Sequence, residues 1–456
     1  MTGPRVLIVG AGPAGMFCAD ELLKSGITDV TILDSGGRMV RRVCPEIRAC
    51  QCAVCDVIEG EGGAGGFSDG KLPYSLTRGT QLEQIFDPSC EPILREIDET
   101  VVRFGGPGVW YDPISSEPSE FEGSPLKFTS YPLRHVGTDG IREFTSRMGA
   151  DLIARGLNLR TFTNAIRILI GRDGLTQGVA SSRGGQASDW MSDILVIATG
   201  IQGITWMEKQ MSQQGISLES GPAGIGIRIE TRAEVLESLF ERFYDWKLIY
   251  DHDGMILRSF CCNRQGYVVN QYHRELEIRN VNGHSSLDPV KRSRSSNFAI
   301  IAKIDDRICE DPQQYVREVA RSINKEADGH SIVQSLSRFM SGSHSIREDI
   351  NPLVRTNLLA RYGADIGGAM PRDLYHAFFD FIHELYKVVP GVQGPDSLVY
   401  APEMKYHGKR IPVDFDTWRS RDIGNMYVLG DASGYLDSFV AAALTGVIAG
   451  RDISCR

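Results

Sequence analysis

Arg5-Val6-Leu7-Ile8-Val9-Gly10-Ala11-Gly12-Pro13-Ala14-Gly15 is an apolar run that breaks into G-x-G-x-x-G and continues in a helical pattern as far as Gly26. Gly10 permits the tight turn, Gly12 lets the backbone approach a pyrophosphate, and Gly15 lets helix and strand pack closely. Pro13 and Ala14 fall in the first helical turn, whose unpaired N–H groups face the phosphates. A second apolar run, residues 30–33, delivers Asp34, which lies 19 residues beyond Gly15, the distance at which a carboxylate reaches an adenosine ribose. Strand, glycines, helix, second strand and terminal acid in one short unit predict an α/β nucleotide fold holding a dinucleotide.

The chain has 456 residues, more than one hydrophobic core usually supports, so two or three domains with interleaved segments are expected. A net charge of −9 with no basic block argues against nucleic acid or an anionic membrane as the main partner. The first apolar run is too short to span a bilayer and lacks the flanks of a secretion signal, so a cytoplasmic protein without a membrane span is expected. Ten cysteines in such a chain are expected as thiols, metal ligands or redox groups rather than a disulfide framework.

No internal repeat is present, and the Pro/Gly/Ser-rich stretches 105–125 and 285–297 read as surface loops or segment junctions. Residues 139–156 have helical spacing and lead into strands at 158–162 and 165–170, the latter closed into a hairpin by Gly171-Arg172-Asp173-Gly174. Beyond a strand at 193–198 the composition becomes β-rich, with strands expected at 225–229, 267–269 and 298–304. Helices are expected at 312–326 and 371–387, then a last strand at 426–429 and a small-residue helix to 451. Gly221-Pro222-Ala223-Gly224-Ile225-Gly226 has the wrong spacing for a second nucleotide turn and leads into a β-type segment, so no built-in NAD(P)H domain is expected.

Two later motifs narrow the ligand. Asp193-Ile194-Leu195-Val196-Ile197-Ala198-Thr199-Gly200 and Asn425-Met426-Tyr427-Val428-Leu429-Gly430-Asp431-Ala432-Ser433-Gly434 resemble two elements of the FAD-dependent oxidoreductases of the glutathione-reductase type. In those proteins the first passes close to FAD, and the Asp of the second binds the ribityl chain. Cys44-Pro45, Cys50, Cys52 and Cys55, the run Gly60-Glu61-Gly62-Gly63-Ala64-Gly65-Gly66-Phe67-Ser68-Asp69-Gly70-Lys71-Leu72, and four shorter pieces carry a narrower resemblance, to the poorly characterised family of predicted FAD-dependent dehydrogenases. The shorter pieces are His135-Val136-Gly137-Thr138-Asp139, Gly226-Ile227-Arg228-Ile229-Glu230, Arg258-Ser259-Phe260-Cys261 and Asn297-Phe298-Ala299. Where that family often has Glu-x-Gly, this chain has Asp34-Ser35-Gly36, which keeps the ribose acceptor on a shorter arm.

The resemblance implies a Rossmann-like FAD-binding domain of the glutathione-reductase type built from residues 1–80, 136–220 and 395–456. An inserted β-rich α+β substrate domain would comprise 81–135 and 221–394. The implied FAD contacts are Gly10, Gly12, Pro13, Ala14, Gly15, Asp34, Ser35, Arg38, Gly63, Ala64, Gly65, Ser68, Ala165, Ile166, Thr199, Gly200, Gly430 and Asp431. The expected activity is hydride transfer between a small organic substrate and flavin N5, with an external electron donor or acceptor.

Six glycines in residues 60–71 expose backbone N–H groups and let the chain lie against a flat ring. Ser68, Asp69 and Lys71 could then donate to that ring or manage a substrate proton, or be ordinary turn polarity. Further candidates are His344 and His407 as acid–base groups and Arg347 as a carboxylate clamp. Cys44, Cys50, Cys52 and Cys55 admit three readings: a Cys52/Cys55 disulfide exchanging electrons with flavin, a metal or iron–sulfur centre using all four, or a thiol-rich loop. Cys261 and Cys262 are a vicinal disulfide or two buried strand thiols. Two alternatives to the oxidoreductase stay open: an electron-transfer flavoprotein using the cysteine cluster, and a non-catalytic binding protein, since Rab escort and dissociation-inhibitor proteins resemble this fold without using FAD.

Overall fold

Val6–Val9 is buried along its whole length, as a strand must be when both faces of its sheet are covered, and it forms the centre of a five-stranded parallel sheet. Across that sheet the order is Met426–Val428, Ile194–Ile197, Val6–Val9, Val30–Leu33 and Asn158–Arg160, with Val6 level with both Ile194 and Val30. The computed structural model describes residues 3–44, 54–76, 82, 85–113, 118–345, 358, 360 and 363–456. Helix Pro13–Lys24 follows the first strand and packs on the C-terminal helix Phe439–Ser454. The small residues of the latter permit this approach, since a Cβ at Gly446 would lie 2.3 Å from the Ala14 carbonyl oxygen. The last expected strand and helix therefore return the chain to its first nucleotide unit.

An antiparallel meander, Asn164–Ile170, Thr176–Arg183 and Gln186–Met191, connects the outer strand of this sheet to Ile194–Ile197, its turn at the expected Gly171–Gly174 position.

A seven-stranded sheet forms the second layer system, in the order Ile332–Ser335, Leu398–Lys405, Ala223–Arg232, Ser295–Ile304, Met255–Asn263, Lys247–His252 and Lys127–Thr129. Its neighbours are all antiparallel. In Ala223–Arg232 the period of two divides the labour. Ile225, Ile227 and Ile229 enter a core with Leu236, Phe378 and Phe381 of helices Ala233–Arg242 and Arg372–Val388. Gly224, Gly226, Arg228 and Glu230 therefore occupy the opposite face. There Arg228 forms a bidentate pair with Glu403, both bonds 2.7 Å, and donates from Nη1 to Asn297 Oδ1 at 2.7 Å, with all three residues fully buried. The Gly-Ile-Arg-Ile-Glu and Asn-Phe-Ala pieces are thus joined in a buried polar network across the middle strands, in which the Asn297 amide nitrogen has no hydrogen-bond partner among the described residues.

The segment boundaries differ from the expected layout at two places. Leu398–Lys405 lies inside the seven-stranded sheet, paired with Ala223–Arg232, although residues from 395 onward were assigned to the nucleotide unit. Helix Glu91–Gly105 sends Leu94, Ile97 and Val101 into the nucleotide-side core, although 81–135 was assigned to the inserted unit. In both cases an apolar face decides the location, and composition alone does not say which core that face joins.

Candidate functional site

A cavity of about 610 Å³ lies between the two sheets, bounded by turns encoded far apart in the chain. Its first wall is the Gly10–Ala14 turn. Gly10 has φ 109°, and a Cβ there would meet the Ala198 carbonyl oxygen at 2.2 Å, while one at Gly15 would meet the Gly10 oxygen at 2.1 Å. These two glycines are needed by the protein's own packing. Gly12 differs: its backbone is extended, and a Cβ would find its nearest neighbour 4.0 Å away, so its missing side chain leaves room on the cavity side. Gly12 is also the N-cap of Pro13–Lys24 without any side-chain cap, so the first-turn N–H groups stay available to an anion.

Asp34 accepts from the Ala11 N–H at 2.7 Å and the Gly36 N–H at 2.8 Å, and it lines the cavity together with Ser35. Burial pushes its carboxyl above the ordinary value, against these N–H groups and the Arg42 charge. The glycine-rich loop docks directly on the first turn: Gly62 N–H donates to the Ala11 carbonyl at 2.7 Å, and a Cβ at Gly63 would come within 3.1 Å of Gly12 Cα. Arg42 holds this loop from behind. It is fully buried, donates to the carbonyls of Asp56 (3.0 Å), Gly63 (2.9 Å) and Glu61, and lies 4.7 Å from the Phe67 ring centroid. The Glu61 and Gly63 carbonyls are turned to Arg42, while Gly63, Ala64 and Gly65 form part of the cavity wall.

Thr199, Gly200, Gly430 and Asp431 complete the nucleotide-side wall. The Thr199 hydroxyl is buried with no hydrogen-bond partner among the described residues. Burial and the neighbouring Asp437 push Asp431 up to about 7. Across from it, His407 is held below its ordinary value by burial, partly offset by Asp437. Asp437 is in turn kept low by His407, Arg258 and Lys405 despite burial. All three of Asp431, His407 and Asp437 line the cavity.

The other end is a charge cluster. Lys71 Nζ lies 2.8 Å from Asp69 Oδ2 and 3.3 Å from Asp245 Oδ1, and donates to the Cys262 carbonyl at 2.6 Å. Asp245 also pairs with Lys247 at 2.8 Å and accepts from Tyr131 Oη at 2.7 Å. Burial opposes the Lys71 charge, but Asp245 and Asp69 outweigh it and hold the ammonium above its ordinary value. Lys71 is therefore a fixed cation that ties the glycine loop to the second sheet. Ser68 lines the cavity, its Oγ accepting from the Gly70 N–H at 3.3 Å. His135 is buried beneath, Nε2 3.1 Å from the Asp69 carbonyl and 3.0 Å from Ser285 Oγ, and burial lowers it to about 4.

Some expected site residues lie elsewhere. Arg38 pairs with Glu61 at 2.9 Å and is not in the cavity wall. Ala165 and Ile166 sit on the meander, Ile166 54% exposed, because the chain turns outward at Phe162, which has φ 53° and closes over Gly37. His344 is exposed and away from the cavity. Cys55 is buried in an apolar cluster with Met39, Val57, Ile58 and Phe67, with Cys44 packed against it. Cys50, Cys52 and Arg347 lie outside the described residues. Among the described residues no three His, Cys, Asp or Glu side chains are grouped to hold a metal. Cys261 and Cys262 are free thiols, Cys261 on the cavity wall.

Arg258 opens the Arg-Ser-Phe-Cys piece, whereas Arg42, Asp245, Lys247 and Lys405 carry no local motif in the sequence.

No family profile matches the chain. An uncharacterised protein of Clostridium beijerinckii is 21% identical over 474 residues, spanning 97% of this chain and 79% of that protein. Among solved structures, the chain is similar to glycine oxidase from Bacillus cereus, with a TM-score of 0.45 and 11% identity over 99% of this chain and 95% of that one. It is also similar to glycine oxidase from Geobacillus kaustophilus, with a TM-score of 0.43 and 12% identity over 100% and 95% of the two chains. For CtdE in complex with FAD and a substrate the TM-score is 0.41, with 12% identity over 99% and 79%. Among the described residues no helix is long and apolar enough to cross a membrane.

Proposed function

We propose that the chain is an FAD-dependent oxidoreductase that transfers a hydride between flavin and a small organic substrate held against the second sheet. The observation that carries this reading is the single cavity that joins the Gly10–Ala14 turn, Asp34, the glycine-rich loop, Thr199-Gly200 and Gly430-Asp431 to a wall of the seven-stranded sheet. Its donor and acceptor set suits the cofactor: an open helix N-terminus for a pyrophosphate, a carboxylate for ribose, a partnerless Thr199 hydroxyl, and Asp431 for a polyol chain.

Bound FAD would supply the two-electron chemistry at N5. The chain's own residues would bind, orient and move protons. Pro13–Lys24 points its N-terminus at the phosphates, Asp34 accepts from the ribose, and Arg42 keeps the glycine loop in the shape that lies along the cofactor. His407, neutral near pH 7 and beside Asp437, is the group placed to take up or return a substrate proton. Lys71 remains charged and sets the local field. The reducing equivalents then pass to or from an external molecule.

The test is the absorption spectrum of freshly purified protein before and after acid release of its cofactor. Oxidised-flavin bands and released FAD are expected; a colourless protein that takes up no added FAD would overturn the reading in favour of a binding protein.

A further inference from the structure

The wall of the cavity supplied by the seven-stranded sheet carries an unusual arrangement: three cations surround one aromatic ring. Lys405 Nζ lies 4.3 Å, Arg258 Cζ 5.1 Å and Lys247 Nζ 5.2 Å from the Phe260 centroid, and all four residues line the cavity. Lys247 is neutralised by Asp245 at 2.8 Å. Lys405 and Arg258 face one carboxylate between them, Asp437, which lines the same cavity; among the described residues the carboxylate within 4 Å of Lys405 is Glu403, at 3.8 Å, and both Glu403 oxygens already receive Arg228 at 2.7 Å. Its side chain is 20% exposed, enough to meet a ligand in the cavity but too little for full hydration. Around these charges the wall is apolar, with Ile249, Ile256 and Ile301 lining it. The backbone makes room on the same face: a Cβ at Gly226 would strike Ile301 Cδ1 at 2.5 Å, and one at Gly224 would press on Lys405 Cβ at 3.1 Å.

We infer that Lys405 and Arg258 form an anion subsite, and that the substrate is a carboxylate whose apolar body lies along Phe260 and the isoleucines. This deepens the flavoenzyme reading and rests on it for the word substrate. Two cations that share one carboxylate keep a net positive charge on a low-dielectric wall, which an incoming anion offsets, and the apolar side chains beside them add a hydrophobic contact to the charged one. A bare phosphate would use the charges and waste the wall.

The experiment uses the purified holoprotein and three probes, phenylacetate, its neutral isostere phenylacetamide and inorganic phosphate, measured by isothermal titration calorimetry and by difference spectra of the bound flavin. Phenylacetate is expected to bind at least about tenfold tighter than either other probe. Lys405→Met should weaken phenylacetate by about tenfold or more without changing the amide, and Lys405→Arg should restore it. Equal affinity for acid and amide, equal affinity for phosphate, no heat with millimolar phenylacetate, or an unchanged Lys405→Met variant would each overturn the subsite. If Lys405→Met fails to fold, Arg258→Met is judged by the same criterion. A protein without flavin sinks the oxidoreductase reading at the first spectrum, whereas the calorimetric comparison of acid with amide still decides the subsite.

Discussion

The Ala11 amide donates to Asp34 Oδ2 across 2.7 Å, so the acid at the end of the second strand closes the turn at the end of the first. Asp34 also accepts from Gly36, which makes one carboxylate both a clasp between two loops and an element of the cavity wall. Asp34→Ala would leave both N–H groups without that acceptor, at roughly 1–3 kcal/mol each where they stay dry. Thermal unfolding of the flavin-stripped variant should therefore show a lower midpoint, and FAD titration a separate loss of at least about tenfold in affinity. Unchanged FAD affinity would remove Asp34 from the cofactor set.

Gly12 and Gly10 separate a ligand requirement from a packing requirement within one motif. A Cβ on Gly12 meets nothing closer than 4.0 Å and its backbone suits any residue, so Gly12→Ala should fold with a midpoint within a few degrees of the parent. It should nevertheless lose FAD, because the added methyl enters the space a pyrophosphate would take. Gly10→Ala, with φ 109° and a carbonyl oxygen 2.2 Å from the new Cβ, should fail to accumulate as folded protein. Retention of FAD by Gly12→Ala at parental affinity would place the phosphates elsewhere.

The contrast shows how far the sequence could be read. Gly10, Gly12, Asp34 and the Gly430-Asp431 turn were legible because each follows a strand end, where spacing along the chain and position in space coincide, and Gly15 follows in the first turn of the helix. Arg38, Ala165 and Ile166 lie outside the cavity wall for the opposite reason: a single positive-φ residue, Phe162, turns the chain outward, and Glu61 holds Arg38. Arg42, Asp245 and Lys405 could not be found. Arg42 acts on carbonyls 14 to 21 residues away, Asp245 sits in the turn that leads into Lys247–His252, and Lys405 reaches the cavity through the register of an antiparallel sheet whose strands are scattered from 127 to 405.

Asp431 gives a pH dependence of definite sign. Its carboxyl is pushed up to about 7 in the folded protein, whereas in an unfolded chain a carboxyl titrates near about 4. Between these values the folded state binds the extra proton, so this group's stabilising contribution is complete below about pH 4 and is lost as the pH rises through about 7. Asp431→Asn removes the titration. In the flavin-stripped protein the variant should be more stable than the parent at pH 8, with that advantage shrinking toward pH 5, as read from unfolding midpoints across the range. A constant difference across that range would mean that Asp431 titrates normally.

Lys71 and Ser68 stand close together in sequence and both suit proton work by residue type, yet their surroundings predict opposite behaviour. Lys71 is buried between Asp69 and Asp245, and Lys71→Met would leave the buried Asp69 without its cation while Asp245 keeps Lys247, so a loss of about 3–5 kcal/mol in stability is expected. Ser68→Ala gives up one long bond from the Gly70 amide at the cavity edge, and its stability should stay within about 1 kcal/mol of the parent. If Lys71 served as the acid of the reaction, a milder variant that folds, such as Lys71→Arg, would lose turnover and shift the pH profile of kcat. As a fixed charge, Arg would preserve both, because it keeps the cation while raising the cost of deprotonation. Urea unfolding of the Met variant and the kcat profile of the Arg variant together assign the residue.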